Sequence, residues 1–137
     1  MLTDDLQEKM IETALRARQR AYAPYSGYAV GAALLTNTGE IYTGVNVENA
    51  AYPTGTCAER VAVFKAVSEG EKDFEALVVA SSNGGTPCGA CRQVLSEFGL
   101  ETKILIVDSE GVVVQETTVG ELLPGAFTSQ DLPKQEK

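Results

Sequence analysis

The chain has no histidine and no tryptophan, and only three cysteines among its 137 residues. Without histidine, serine or cysteine hydrolases that rely on an imidazole base are excluded, and so is any histidine acid–base scheme. An odd number of cysteines excludes a complete disulfide framework within one chain. Cations are scarce too, with 11 lysines and arginines against 19 carboxylates and a net charge of −8. A polynucleotide binder needs a basic surface to neutralise phosphates, so nucleic-acid partners are not expected. The basic cluster "RARQR" at 16–20 reads as a solvated helix face. No apolar run approaches the roughly 20 residues that span a bilayer, so no membrane association is expected. The opening "MLTDDLQEKM" lacks the apolar stretch of a signal peptide. The expected location is therefore the cytoplasm, where cysteines more often bind metal or do chemistry than form bridges.

What is present is ordinary for a globular protein: 44% hydrophobic and 22% charged residues. The length suits one domain over 1–137, with 128–137 read as a polar C-terminal tail. Thr3 caps a helix with Asp4 and Asp5 in its first turn and Arg16, Arg18 and Arg20 towards its end, an order that suits the helix dipole. Leu6, Met10, Ile11, Ala14 and Leu15 fall near helical spacing. "AVGAALLT" and "EIYTGVNV" flank a turn and predict a β-hairpin. A second helix is expected over about 57–69, with Thr56 as cap and Val61, Phe64 and Val67 on one face. "EALVVASS" predicts a strand, "CGACRQVLSEFG" a short helix closed by Gly99, and "KILIVDS" and "VVVQETT" two further strands. One helical turn is expected over 119–123. The order is αββαβαββ, and the helix between the third and fourth strands permits a parallel pairing there. The expected fold is α/β, a five-stranded mixed sheet sandwiched by helices.

The chemistry lies in "TGTCAER" and "TPCGACRQ". Cys88 and Cys91 lie three apart at the start of a helix, so both sulfurs can reach one ion. Cys57 opens another helix, and the dipoles of two converging N-termini would favour thiolates. Three thiolates with a fourth position open to water make a catalytic zinc site, since structural sites normally close with four protein ligands. Glu59, two residues past Cys57, can lean over the same ion and carry protons between water and a substrate nitrogen. Three thiolates leave zinc with a net negative charge, which weakens it as an acid. Arg60 and Arg92 each follow a key residue, and at least one is expected to hydrogen-bond a ligand sulfur. Taken alone, a Cys-x-x-Cys pair reads equally as a redox or structural element, and a first-turn glutamate as a dipole partner. Together, "CAE" and "PCGAC" fit the zinc-deaminase pattern of ligand-x-Glu followed by Pro-Cys-x-x-Cys.

Over about residues 5–130 the sequence resembles the small, three-cysteine, homotetrameric cytidine deaminases. "PYSGYAVGAALL", "GVNVENAAYP", "CAERVAVFKAVSEG", "PCGACRQVLSEF" and "ELLPGAF" fall in the family's order. The resemblance implies hydrolytic deamination of cytidine and 2′-deoxycytidine in pyrimidine salvage, with one zinc per chain on Cys57, Cys88 and Cys91. Glu59 would be the proton shuttle to N3 and the departing amine. Asn46 and Glu48 match the ribose-binding pair, and the backbone of Ala58 the position that contacts the base. Tyr28 stands where the family often has phenylalanine against the pyrimidine. Phe127 matches an aromatic that closes a neighbouring subunit's site, and Tyr52 lies where subunit contact is expected. Thr86 replaces a common serine, and the loop "SSNGGTP" is short for the family. The alternatives are a deaminase of a modified cytosine nucleoside such as blasticidin S, or a non-enzymatic zinc or thiol module.

Overall fold

The computed structural model describes residues 2–133. Helix α1 spans Asp4–Arg18, where the Thr3 hydroxyl accepts from the Leu6 amide at 3.2 Å. It is followed by β1 (Gly31–Thr36), β2 (Ile41–Val45), α2 (Ala58–Ser68), β3 (Phe74–Ala80), α3 (Gly89–Ser96), β4 (Lys103–Val107), β5 (Val113–Thr118) and the single turn α4 (Val119–Leu122). The strands form one mixed sheet in the order β2-β1-β3-β4-β5. Only β3 and β4 are parallel, joined through α3, and each other pair is antiparallel.

Helices cover both faces, each over its own apolar cluster. On one, Met10 and Ala14 of α1 pack with Leu35, Val78 and Leu105. On the other, Ala58, Ala62, Val63 and Ala66 of α2 and Leu95 of α3 pack with Leu34, Leu77, Ile104 and Ile106. Every residue of β1 is buried, as a strand covered on two faces requires. Arg18 does not belong to a purely solvated face: its Nε donates to the Ala29 carbonyl at 2.9 Å and ties α1 to the segment that enters β1.

On α2 the buried face is built from Ala58, Ala62 and Ala66 together with Glu59 and Val63, whereas Phe64 is 52% exposed and Val61 and Val67 are half-buried. The cause lies on β2, where a Cβ added to Gly44 would sit 2.2 Å from the Ala58 carbonyl oxygen and 2.6 Å from the Ala62 amide. Helix and strand meet there backbone to backbone, at Ala58 and Ala62. Gly44→Ala is therefore expected to destabilise the protein by about 1–3 kcal/mol. The measurable result is a Tm lower by roughly 5–10 °C. An unchanged melting curve would contradict so close an approach.

Within the expected polar tail, residues 129–131 form an exposed 3-10 turn, closed by a reciprocal cap in which the Thr128 amide donates to Asp131 Oδ2 at 2.9 Å. The remainder of the expected tail, 134–137, lies outside the described residues.

The register places the site. Gly31, at the start of β1, pairs with Val45 at the end of β2 and with Ala80 at the end of β3. One edge of the sheet thus gathers the segment entering β1, the segment leaving β2, and the loop that runs from β3 to α3.

Candidate active site

At that edge Cys57 and Cys88 occupy equivalent positions as the N-caps of α2 and α3. Both have extended backbone, and neither side chain makes the usual capping hydrogen bond. Thr56, the expected cap of α2, instead pairs its backbone with Val47. Freed from capping, the two sulfurs turn towards each other at 3.8 Å, and Cys88 lies 3.4 Å from the buried Cys91. All three sulfurs are within 4.8 Å of one another. Tetrahedral zinc with bonds of about 2.3 Å to sulfur needs sulfurs about 3.8 Å apart, so the donor set fits the ion by spacing and by softness.

The surroundings favour a negative charge on the Cys57 sulfur. Hydrogen bonding with the Cys91 thiol lowers the Cys57 pKa to about 5, against the opposing effect of burial and with help from Arg60. The same interaction, together with burial, holds the Cys91 proton on and pushes its pKa up. Arg60 Nη2 donates to Cys57 Sγ at 3.5 Å. Arg92 does not reach a sulfur. Its guanidinium donates to the Pro87 carbonyl at 2.7 Å, the Leu122 carbonyl at 2.8 Å and the Thr86 hydroxyl at 3.0 Å, locking the peptide before Cys88 to α4. Glu59 is 4% exposed in the first turn of α2, and burial pushes its pKa up to about 7.

A cavity of about 250 Å³ brings Cys57, Ala58, Glu59 and Cys88 together with Tyr28, Val30, Asn46, Glu48, Ser81, Gly85 and Thr86. It adjoins a wider cleft of about 510 Å³ that shares Asn46, Glu48 and Cys57 and adds Tyr25, Tyr52 and Arg60. Asn46 is tied on both sides of its amide: Oδ1 accepts from the Val30 amide at 2.9 Å, and Nδ2 donates to the Tyr28 carbonyl at 2.8 Å. Tyr28 lies in the segment before β1 rather than on a core strand. Tyr52 is 75% exposed and meets Tyr25 edge-on at 5.9 Å. Phe127 lines neither cavity, is exposed, and accepts on its carbonyl from Gln93 Nε2 at 2.9 Å.

Sequence reasoning missed Ser26. Glu48 accepts from the Tyr25 amide at 2.9 Å, the Ser26 amide at 3.0 Å and the Ser26 hydroxyl, which in turn accepts from the Tyr28 amide at 3.0 Å. The available signal was "PYSG", a serine beside a turn glycine that reads only as a helix breaker. The Ser26 hydroxyl, followed by the Ser26 amide, holds the Glu48 carboxyl below the ordinary carboxylate range. A lowered folded-state pKa means that this clamp contributes above the ordinary carboxylate value and is lost as pH falls through the lowered one. The Tyr25 and Ser26 amide NMR signals should accordingly titrate at lower pH than those beside free surface glutamates. Coincident midpoints would show that the clamp does not hold in solution.

Thiols gathered at two helix N-termini around a buried carboxylate, on a mixed sheet covered by helices, define the class as a zinc-dependent deaminase fold. The family model described as the cytidine and deoxycytidylate deaminase zinc-binding region matches residues 4–107, and the chain belongs to that family. A cytidine deaminase of Sporosarcina psychrophila is 50% identical over 127 residues, covering 91% of this chain and 93% of the relative. One from Halalkalibacterium halodurans is 47% identical over 129 residues, 92% of this chain and 97% of the relative. The crystal structure of the cytidine deaminase from Burkholderia pseudomallei superposes with a TM-score of 0.83 at 46% identity, over 88% of this chain and 98% of that one. A blasticidin-S deaminase of Bacillus cereus is more distant, at 32% identity over 140 residues, 93% of this chain and 99% of the relative.

Proposed function

We propose that this chain hydrolyses cytidine and 2′-deoxycytidine to the uridine nucleosides and ammonia. The observation that carries the reading is the cluster of three soft ligands, two of which share a cavity with the buried carboxylate of Glu59 while the third, Cys91, lies buried behind them. Cys57, Cys88 and Cys91 would hold zinc, and Arg60 would temper the excess negative charge on the Cys57 sulfur. When bound, zinc supplies the Lewis acidity that makes water a nucleophile at neutral pH. Glu59, shielded from solvent beside that position, carries a proton to ring N3 and then to the amine that leaves from C4. The oxygen of water replaces the amine on C4, so one C–O bond forms and one C–N bond breaks.

The Ala58 backbone at the start of α2 and the Tyr28 ring line the walls that would receive the base. Asn46 and Glu48 stand where the cavity opens into the wider cleft, and would grip the sugar hydroxyls. Both are pre-set by backbone hydrogen bonds, so little ordering accompanies binding. A homotetramer would explain why Tyr52, Phe64 and Phe127 present exposed aromatic rings, with Phe127 completing a neighbour's cleft. The chain would act as one folding unit, since both apolar clusters share one sheet, and would serve pyrimidine salvage in the cytoplasm. Among the described residues no helix is long and apolar enough to cross a membrane.

The test is the ultraviolet spectrum of cytidine over time with purified protein. A steady shift to the uridine spectrum supports the reading. No shift, in a sample carrying about one zinc per chain, would replace it with a modified cytosine nucleoside or a structural metal. Light scattering in solution decides the oligomer, and a monomer at micromolar concentration would remove the proposed role of Phe127.

A further inference from the structure

Tyr28 is anchored at both ends. Its amide donates to the Ser26 hydroxyl at 3.0 Å, and its carbonyl accepts from Asn46 at 2.8 Å, which ties its backbone to the sugar side of the cleft. Its hydroxyl crosses to the other wall and donates to Asn83 Oδ1 at 2.7 Å. Asn83 belongs to the 81–87 segment, which leaves β3 and delivers Cys88 to the head of α3. That segment is folded on the buried Ser81, whose hydroxyl accepts from the Gly84 amide at 3.0 Å and the Gly85 amide at 3.1 Å. Gly85 is shaped to the tyrosine. A Cβ there would lie 2.6 Å from the Tyr28 hydroxyl oxygen, whereas Tyr28 Cζ stands 3.8 Å away. The glycine is therefore required by the hydroxyl and not by the ring.

We propose that Tyr28 and Asn83 form a latch that holds the 81–87 segment against the base cavity and limits the size of ring substituent that the site accepts. Asn83 is a positioning residue in this scheme, acting through Tyr28 and the loop. The proposal rests on the deaminase reading for its substrate. Cytosine C4 has two ring neighbours, N3 and C5. With N3 turned to Glu59, C5 faces the remaining lining, to which the latched segment contributes Ser81, Gly85 and Thr86. A bulky group on C5 then needs that segment to yield, and the Tyr28–Asn83 hydrogen bond resists it.

The test compares kcat/KM for 5-bromocytidine and cytidine in the wild-type protein, Tyr28→Phe, Asn83→Ala and the double variant. Each single substitution is expected to raise the ratio of bromo-substrate to cytidine about fivefold, the weight of one ordinary hydrogen bond. The double variant is expected to gain no more than the better single one, because both remove the same contact. An unchanged ratio in folded, zinc-loaded single variants overturns the proposal, and so do additive gains. Gly85→Ala supplies a readout that needs no turnover. It should lower Tm by roughly 5 °C in the tyrosine protein and by much less in the Tyr28→Phe background, where the clashing oxygen is gone. Equal losses in both backgrounds would refute the latch. If the wild-type protein deaminates neither nucleoside, the deaminase reading fails, and this thermal comparison alone decides whether the latch exists.

Discussion

Glu59→Gln should lower kcat for cytidine by about 10²–10⁴-fold, the range ascribed to a positioned proton carrier. Zinc content and melting temperature should change little. Glutamine keeps the shape and the burial, and it relieves the first turn of α2 of a carboxylate that is 4% exposed and shares its cavity with Cys57 and Cys88. What it cannot do is accept a proton and return it. The dissociation between metal content and turnover separates the enzymatic reading from a structural-metal one, in which the same change alters neither. Steady-state kinetics beside elemental analysis of one preparation measures both. A Glu59→Gln protein that turns over cytidine at the wild-type rate would remove Glu59 from the mechanism.

Cys91→Ser is expected to act in the opposite order, through the metal first. Cys91 is fully buried in the first turn of α3, so solvent cannot replace the lost ligand. A serine hydroxyl is a hard and weakly acidic donor, poorly matched to zinc beside two thiolates. Bound zinc should fall from about one per chain to well below half after dialysis against a chelator, and activity should vanish with it. Stability should fall as well, because binding energy at such a site is also folding energy. Calorimetry with and without added zinc checks this: wild-type Tm should rise with the metal and that of Cys91→Ser should not. Full zinc retention in the variant would exclude Cys91 as a ligand.

The fold was legible wherever local chemistry and burial agree. Thr3, the two aspartates after it and the closing arginines mark α1 at both ends, and the cap hydrogen bond and charge order are those that the residues suggest. The three apolar stretches that became β1, β3 and β4 read as strands because both faces are covered. The apolar spacing of Val61, Phe64 and Val67 does not say which face of α2 is buried, and the structure buries the face of Ala58, Ala62, Val63 and Ala66 instead. Its packing is dictated by Gly44 on a strand 14 positions earlier, a tertiary constraint with no trace in the helix's own periodicity. The cysteines stood out through spacing and the lack of any histidine. Ser26 and Asn83 did not, since each lies in a stretch rich in glycine and small polar residues whose local signal is only that of a turn. Their partners, Glu48 and Tyr28, are 22 and 55 residues away.

The two cysteine-headed helices would make local stability depend on the proposed zinc. A helix begun by serine or threonine carries its own stopper, a hydroxyl that occupies the first free amides. Helices α2 and α3 have none, because the sulfur at each head is directed to the common centre. With the proposed zinc bound, their opening turns would be fastened to each other through that centre and not individually to their own backbone. Deuterium uptake at the amides of 59–61 and 90–92 becomes a gauge of occupancy, slow in the loaded protein and faster once chelated, while the Thr3-capped helix on the far side of the sheet keeps its own pace.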